Sequence, residues 1–257
     1  MRKTLLATLL VLALPSLSAA QVPPPGGDMA NAALTKALDD PARAEDKADD
    51  AQRRIAEVMR FAGVAPGQSV LELAPGSGYW TRVFSALVGP QGHVYTVWPD
   101  EMAKFSAESM ANWQKLAAKP HYANVSVLAQ PAAKLASPQP VDLVFTAQNY
   151  HDLHDPFMGS LDIAAFNRRV FDALKPGGVF VVIDHAAPAG SGLADTDTLH
   201  RIDPATVKQE VEAAGFVFDG ESDALRNPAD PRDIKVFDKS IRGHTDQFIY
   251  RFRKPAS

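Results

Sequence analysis

Seven consecutive residues, Asn149-Tyr150-His151-Asp152-Leu153-His154-Asp155, bring two imidazoles, two carboxylates, a phenol and an amide into one short segment. An imidazole titrates close to neutrality, so it can take or give a proton under ordinary conditions. His151 is the leading candidate for a general base, with Asp152 orienting its ring and with Tyr150 and Asn149 holding a ligand through hydrogen bonds. His185, directly after Asp184, and His200, directly before Arg201, add two further imidazoles, and His185 joins the catalytic candidates. The same side chains also ligate metals, and His151, Asp152, His154 and His185 are the set such a use would draw on. No ligand spacing such as HExxH occurs, so no metal is expected.

A second chemical signal is VLELAPGSGYWT, Val70 to Thr81: an acid ending an apolar run, a glycine turn, then a helical pattern. Such a turn lets backbone approach a ligand closely, and the helix that follows offers free N–H groups to an anionic moiety. A phosphate-binding loop of the Walker type needs Gly-Lys-Ser/Thr at its end, which is missing. A dinucleotide fingerprint beginning at Gly76 and Gly78 would reach Thr81 instead of a third glycine, and Trp98 stands where an acid should end the second strand. A nucleotide-like ligand remains the implication.

Composition narrows what these residues can belong to. The 257 residues are 46% hydrophobic and 22% charged, which excludes wholesale disorder, collagen-like repeats and a polytopic membrane protein. The balance of 26 basic to 30 acidic residues, without a basic stripe, excludes nucleic acid as a main partner. Cysteine is absent, so disulfides, thiolate metal sites and cysteine nucleophiles are excluded together. At the N-terminus, Arg2 and Lys3 precede ten uncharged residues from Leu5 to Leu14, then Pro15 and the small residues Ser18, Ala19 and Ala20. That order predicts a signal peptide over 1–20, export to the periplasm and no stable membrane insertion after cleavage. Oligomeric state leaves no mark in the sequence.

The elements that must position the chemistry alternate. SVLELA, HVYTVW, VSVL, VDLVFTA and VFVVID read as strands, the last of them the most apolar and so central. Ala51 to Ala62, Trp80 to Leu87, Ile163 to Leu174 and Val207 to Ala214 carry helical spacing, and Lys175-Pro-Gly-Gly178 interrupts helix and strand. Gly215-Phe216-Val217-Phe218 begins a sixth strand, and QFIYRFR alternates as a seventh. The pattern predicts an α/β, Rossmann-like doubly wound, seven-stranded and mostly parallel sheet with an antiparallel last strand, whose ligands bind at the carboxyl ends of the strands. The charge-dense stretch Asp39 to Asp50 reads as a solvated helix face or linker, and Ser222 to Gly243 as a polar surface loop, with lids over the site as the alternative for that insert and for Asp50 to Arg54.

VLELAPGSG and the segment LKPGGVFVVID together resemble the class I S-adenosylmethionine-dependent methyltransferases over most of residues 51 to 254. NYHDLHD, HRID, AGF and TDQF are similar to a bacterial group of exported methyltransferases. The resemblance implies S-adenosylmethionine as cofactor, a small-molecule substrate, and a division into signal peptide (1–20), flexible or helical extension (21–50) and methyltransferase-like domain (51–257). It implies Glu72 near the methionine amino group, with Ala74, Gly76 and Gly78 in the glycine loop. Trp98 replaces the usual ribose-gripping acid, either stacking on adenine or packing at a strand end, while Asp100 or Glu101 can reach back. Gln130, beside Pro131 at the adenine-contact position, and Asn149 complete the implied cofactor set. A catalytically silent module binding the same ligand, and a nicotinamide-dependent oxidoreductase, stand as alternatives.

Overall fold

The apolar run expected at the centre of the sheet lies in its interior, one strand from the middle. In the computed structural model, which describes residues 27–256, Val179 to Asp184 lies within β5 (Leu174–His185), between β4 (Val141–Ala147) and β7 (Gln247–Arg253). Residues 1–20, the expected signal segment, lie outside the described residues. Together with β1 (Ser69–Leu73), β2 (His93–Pro99), β3 (Val125–Gln130) and β6 (Val217–Ser222), these strands form one seven-stranded sheet of order β3-β2-β1-β4-β5-β7-β6. The pairs from β3 to β5 are parallel, and β7 runs antiparallel to both neighbours. The expected architecture is the one observed.

Strand pleating sends alternate residues to opposite faces, and here both faces are buried. Leu71, Val144 and Phe180 are register partners facing α5 (Ile163–Ala173) and α7 (Pro204–Ala213). Their neighbours Phe145 and Val181 face α1 (Gly27–Leu38), α2 (Ile55–Ala62), α3 (Tyr79–Val88) and α4 (Ala103–Ala117). Burying each such side chain contributes about 1.5–3 kcal/mol relative to leaving it exposed. Helix starts are marked chemically: Asp162 accepts from Ala165 N at 3.0 Å to cap α5, and Asp203 accepts from Ala205 N at 2.9 Å to cap α7, with Pro204 in its first turn.

Several boundaries differ from the sequence pattern. α2 starts at Ile55 rather than Ala51, because Arg54 adopts a left-handed conformation (φ 46°) and turns residues 51–54 away from the helix axis. β5 does not stop at Lys175-Pro-Gly-Gly178. It passes through those residues as a bulge, with Gly177 at φ 78° and the register against β4 shifting between Val141 and Leu143. α4 escapes periodicity analysis because Trp113 is its one buried residue.

The charge-dense stretch is solvated along most of its length but turns Arg43, Asp46 and Asp50 inward. Arg43 is buried, donating to Asp50 at 2.6 Å and to Leu38 O at 3.0 Å, and Asp46 takes the Arg82 guanidinium bidentately at 2.5 and 2.6 Å. Tyr79 Oη donates to Asp50 at 2.7 Å. Arg82 and Tyr79 belong to α3, so these contacts clamp the N-terminal segment onto the helix that follows the glycine loop.

The segment between β6 and β7 is likewise anchored rather than a plain surface loop. Arg201, fully buried, donates to both oxygens of the fully buried Asp230 at 2.8 and 3.0 Å, and also to Ala186 O and Ile234 O. Asp230 further accepts from Asp246 N at 2.6 Å and Arg232 N at 3.0 Å. Asp230→Ala would leave a guanidinium charge without its partner in the interior. It should destabilise the chain by roughly 3–5 kcal/mol, read by denaturant unfolding, whereas a change below about 1 kcal/mol would contradict the buried pair.

Candidate active site

The strand order reverses between β1 and β4, and a crevice opens beyond their carboxyl ends. Two residues at this point hold left-handed backbone without being glycine: Ala74 (φ 47°) after β1 and Gln148 (φ 63°) after β4. Such strain concentrates at functional sites. The crevice comprises three adjoining cavities, all walled in part by Gln148. One of about 190 Å³ lies along the glycine loop, one of about 470 Å³ lies beside the histidines, and one of about 490 Å³ lies under the N-terminal segment and the insert.

The glycine loop presents an unsatisfied acid. Glu72, on β1, is buried beside the smallest cavity; Oε2 accepts from Thr81 Oγ1 at 2.5 Å, while Oε1 has no partner. Burial pushes its pKa up to about 8, against the opposing pull of the Thr81 hydrogen bond and the Arg82 charge. A cationic group entering the cavity would answer both the empty lone pairs and the desolvation. Ala74 and Gly76 line this cavity and the 470 Å³ one, and a Cβ on Gly76 would meet only open space. Asn149 lines both as well, donating to Ala74 O at 3.2 Å and Ala147 O at 2.6 Å and so tying the ends of β1 and β4 together.

Other expected contacts are placed differently. Gly78 lines none of the three cavities: its φ is 81° and a Cβ there would lie 2.0 Å from the Trp113 indole, so packing explains this glycine. Gln130 also stands apart, donating to Ala136 O at 3.0 Å. Glu101 does not reach back to the crevice, because both its oxygens accept from Ala132 N. Trp98 packs in the core, 2% exposed, and also walls the 470 Å³ cavity, and its Nε1 is a buried donor without a partner.

Across the cavity the histidines converge on one carboxylate. Asp184, at the end of β5, accepts from His151 N, His151 Nδ1 and His185 N, each at 2.8 Å. His151 is buried. Burial alone would lower its pKa, but the Asp184 charge and hydrogen bond, with Asp152, outweigh it and push the imidazole up to about 10. Asp184 is correspondingly held below its ordinary value despite its own burial. The imidazolium is thus favoured in the unliganded chain, and His151 Nε2 acts as base or ligand only after releasing that proton. Burial lowers His185 to about 4 and, with the neighbouring His151 charge, lowers His200 as well, so these two rings on the cavity wall are neutral. His185 Nδ1 meets Thr245 Oγ1 at 2.7 Å, and His200 stacks on Phe237 with centroids 4.9 Å apart.

Tyr150 is not at the site. It is fully buried, its hydroxyl accepting from Asn167 at 2.7 Å and donating to Glu210 at 3.0 Å, and His154 turns the same way to meet Glu210 at 3.2 Å. Asp152 does line the 470 Å³ cavity, with Oδ1 3.3 Å from His151 Nε2, but Asp184 rather than Asp152 orients the His151 ring. The insert and the N-terminal segment complete the walls. Val236 and Phe237 come from the insert, and Asp49, Gln52 and Arg53 from the N-terminal segment, where Gln52 Nε2 bonds Gly243 O across the 490 Å³ cavity. Asp184 left a sequence signal as an acid ending the most apolar strand, whereas no pattern singled out which residues of the two covering segments face the cavity.

In metal-free protein the His151 ring resonances should stay at imidazolium positions between about pH 6 and 8 and move only near pH 10. Asp184→Asn should bring the midpoint down toward neutrality. A wild-type midpoint near the ordinary histidine value would contradict the ion pair.

The chain is similar to known proteins in both sequence and fold. A family model described as "Methyltransferase domain" matches residues 65–228. The ubiquinone/menaquinone biosynthesis C-methyltransferase UbiE of Ectopseudomonas mendocina is 27% identical over 194 residues, which cover 74% of this chain and 64% of that relative's length. A SAM-dependent methyltransferase from Aquifex aeolicus superposes with a TM-score of 0.53 at 21% identity, over 87% of this chain and 98% of its own. The glycopeptide N-methyltransferase MtfA, complexed with S-adenosylmethionine, gives 0.52 at 16% identity over 78% and 86%. At those identities the structures speak to fold alone, and the family match carries the assignment. Matched over more than half its length by that model, the chain belongs to the methyltransferase-domain family.

Proposed function

We propose that this protein transfers a methyl group from S-adenosylmethionine to a small molecule seated in the 470 Å³ cavity. The observation that carries the reading is Glu72: a buried carboxylate with one unpartnered oxygen, beside an open glycine turn where the strand order reverses. It fits the cationic amino group of the cofactor, and the unpartnered Trp98 Nε1 offers a donor on the other side of the loop. When bound, the cofactor supplies an electrophilic methyl group on a sulfonium. The chain's part is to place an acceptor atom in line with it and to exclude water.

Glu72 binds the amino group, Gly76 gives the cofactor backbone to lie against, and Asn149 keeps the two strand ends at fixed separation. The lining of the 470 Å³ cavity is divided between apolar residues, among them Trp98, Met102, Phe105 and Phe157, and polar ones, among them Asp152, His185 and His200. That division suits a flat, mostly apolar ring with a polar substituent, in keeping with the quinone-biosynthesis name of the curated relative. His185, neutral on the cavity wall, accepts the substrate's proton if the acceptor atom carries one. The basic, apolar and small-residue succession over 1–20 supports export to the periplasm as the place of action.

Calorimetric titration with S-adenosylhomocysteine tests the reading without knowledge of the substrate, and saturable binding is expected. Ligand-free Glu72 is largely protonated at pH 7, and an ammonium beside it pulls its pKa down, so binding should release a proton from this group. Affinity should accordingly rise with pH up to about 8 and flatten above. Titrations in two buffers of different ionisation enthalpy read that proton, and Glu72→Gln should abolish its release and weaken binding about tenfold or more. Gly76→Leu should abolish binding at a backbone cost of roughly 1–2 kcal/mol, leaving the chain folded. Absence of binding by folded wild-type protein would overturn the proposal.

A further inference from the structure

We propose that His151 Nε2, Asp152 Oδ1 and His200 Nδ1 form the binding site for one divalent first-row transition-metal ion of the Zn²⁺ class. The three atoms face one another, with His151 Nε2 at 3.3 Å from both others and His200 Nδ1 at 3.9 Å from Asp152 Oδ1. These spacings are long for charge-assisted hydrogen bonds, which close to about 2.7–2.9 Å, the length His151 reaches with Asp184 on its other nitrogen. They suit ligands around one ion: at metal–ligand distances of about 2.1 Å, the edge of a tetrahedron is about 3.4 Å.

The surroundings are those of a metal site. Asp184 receives Nδ1 of His151 at 2.8 Å, which fixes the ring and reserves Nε2 for the cluster, the arrangement in which a carboxylate orients a ligating imidazole. His200 is held by its left-handed backbone (φ 55°), by its N–H to Thr196 O at 3.0 Å and by its stack on Phe237. Two imidazoles and one carboxylate select zinc, iron, cobalt or nickel over magnesium or calcium. His151, Asp152 and His200 all wall the 470 Å³ cavity, so the ion's remaining positions are open to water or to a polar atom of whatever occupies it. The site stands on these donors alone and holds whether or not the chain transfers methyl groups.

The test uses the tag-free chain without S-adenosylhomocysteine, so that its outcome is independent of cofactor binding. After chelator treatment it is titrated with Zn²⁺ by calorimetry and with Co²⁺ by visible absorption. One ion per chain is expected, with a Co²⁺ ligand-field spectrum displaced by Zn²⁺. Asp152→Asn and His200→Ala should each weaken binding at least tenfold. Asp184→Asn should do so by about 10- to 100-fold, and His121→Ala, at an exposed ring paired with Asp40 and outside the cavity, should change nothing. Thermal unfolding of each variant establishes that it is folded, and Asp152→Asn, which preserves shape, carries the test if His200→Ala is not. No saturable binding by wild type, or binding equally tight in folded Asp152→Asn, would overturn the site.

Discussion

One buried carboxylate organises the chemical side of this molecule. Asp184 sits at the end of β5 with no solvent to share its charge, and it accepts three hydrogen bonds from two separate segments: His151 N and Nδ1 in the turn after β4, and His185 N at the end of β5 itself. An ionised group that deep persists only when paired. The pairing therefore fixes the loop after β4, the ring of His151 and the direction of the chain leaving β5 in a single arrangement. The neutral state of His200 follows partly from it, because the imidazolium next door disfavours a second positive charge.

The opposite side of the crevice works by a deficit rather than a surplus of partners. Glu72 has one oxygen satisfied and one not, and Trp98 has a donor with nothing to receive it. A folded chain tolerates such groups where a ligand completes them, and here both belong to walls of the same crevice. The site is thus asymmetric: tightly pre-paired around the histidines, open to completion along the glycine loop.

Much of this was legible in the residues. Period-two alternation, the apolar run of β5 and the acid-glycine turn after β1 yield the fold, the crevice and the position of Glu72, because each is a local pattern with one physical solution. The roles within NYHDLHD were not legible. A 3-10 turn over His151 to His154 sends neighbouring side chains to different places, so Tyr150 and His154 go to Glu210 while His151 goes to Asp184. The protonation state of His151 depends on a partner 33 positions away, and burial, which no spacing reveals, set the pKa of Glu72 and His185. The charged stretch Asp39 to Asp50 misleads in part for a similar reason: its composition is that of a surface, but Arg43, Asp46 and Asp50 find partners inside.

The two covers of the crevice have a common origin in the chain's architecture. One precedes β1 and the other lies between β6 and β7, and they meet where Gln52 bonds Gly243. Neither contributes a strand or the glycine loop. Substitutions in Gln52, Arg53, Val236 or Phe237 can therefore reshape what enters the crevice while the sheet, the acid on β1 and the Asp184 pairing stay as they are. A lineage carrying this fold can drift in substrate choice through its covers and keep its cofactor apparatus unaltered.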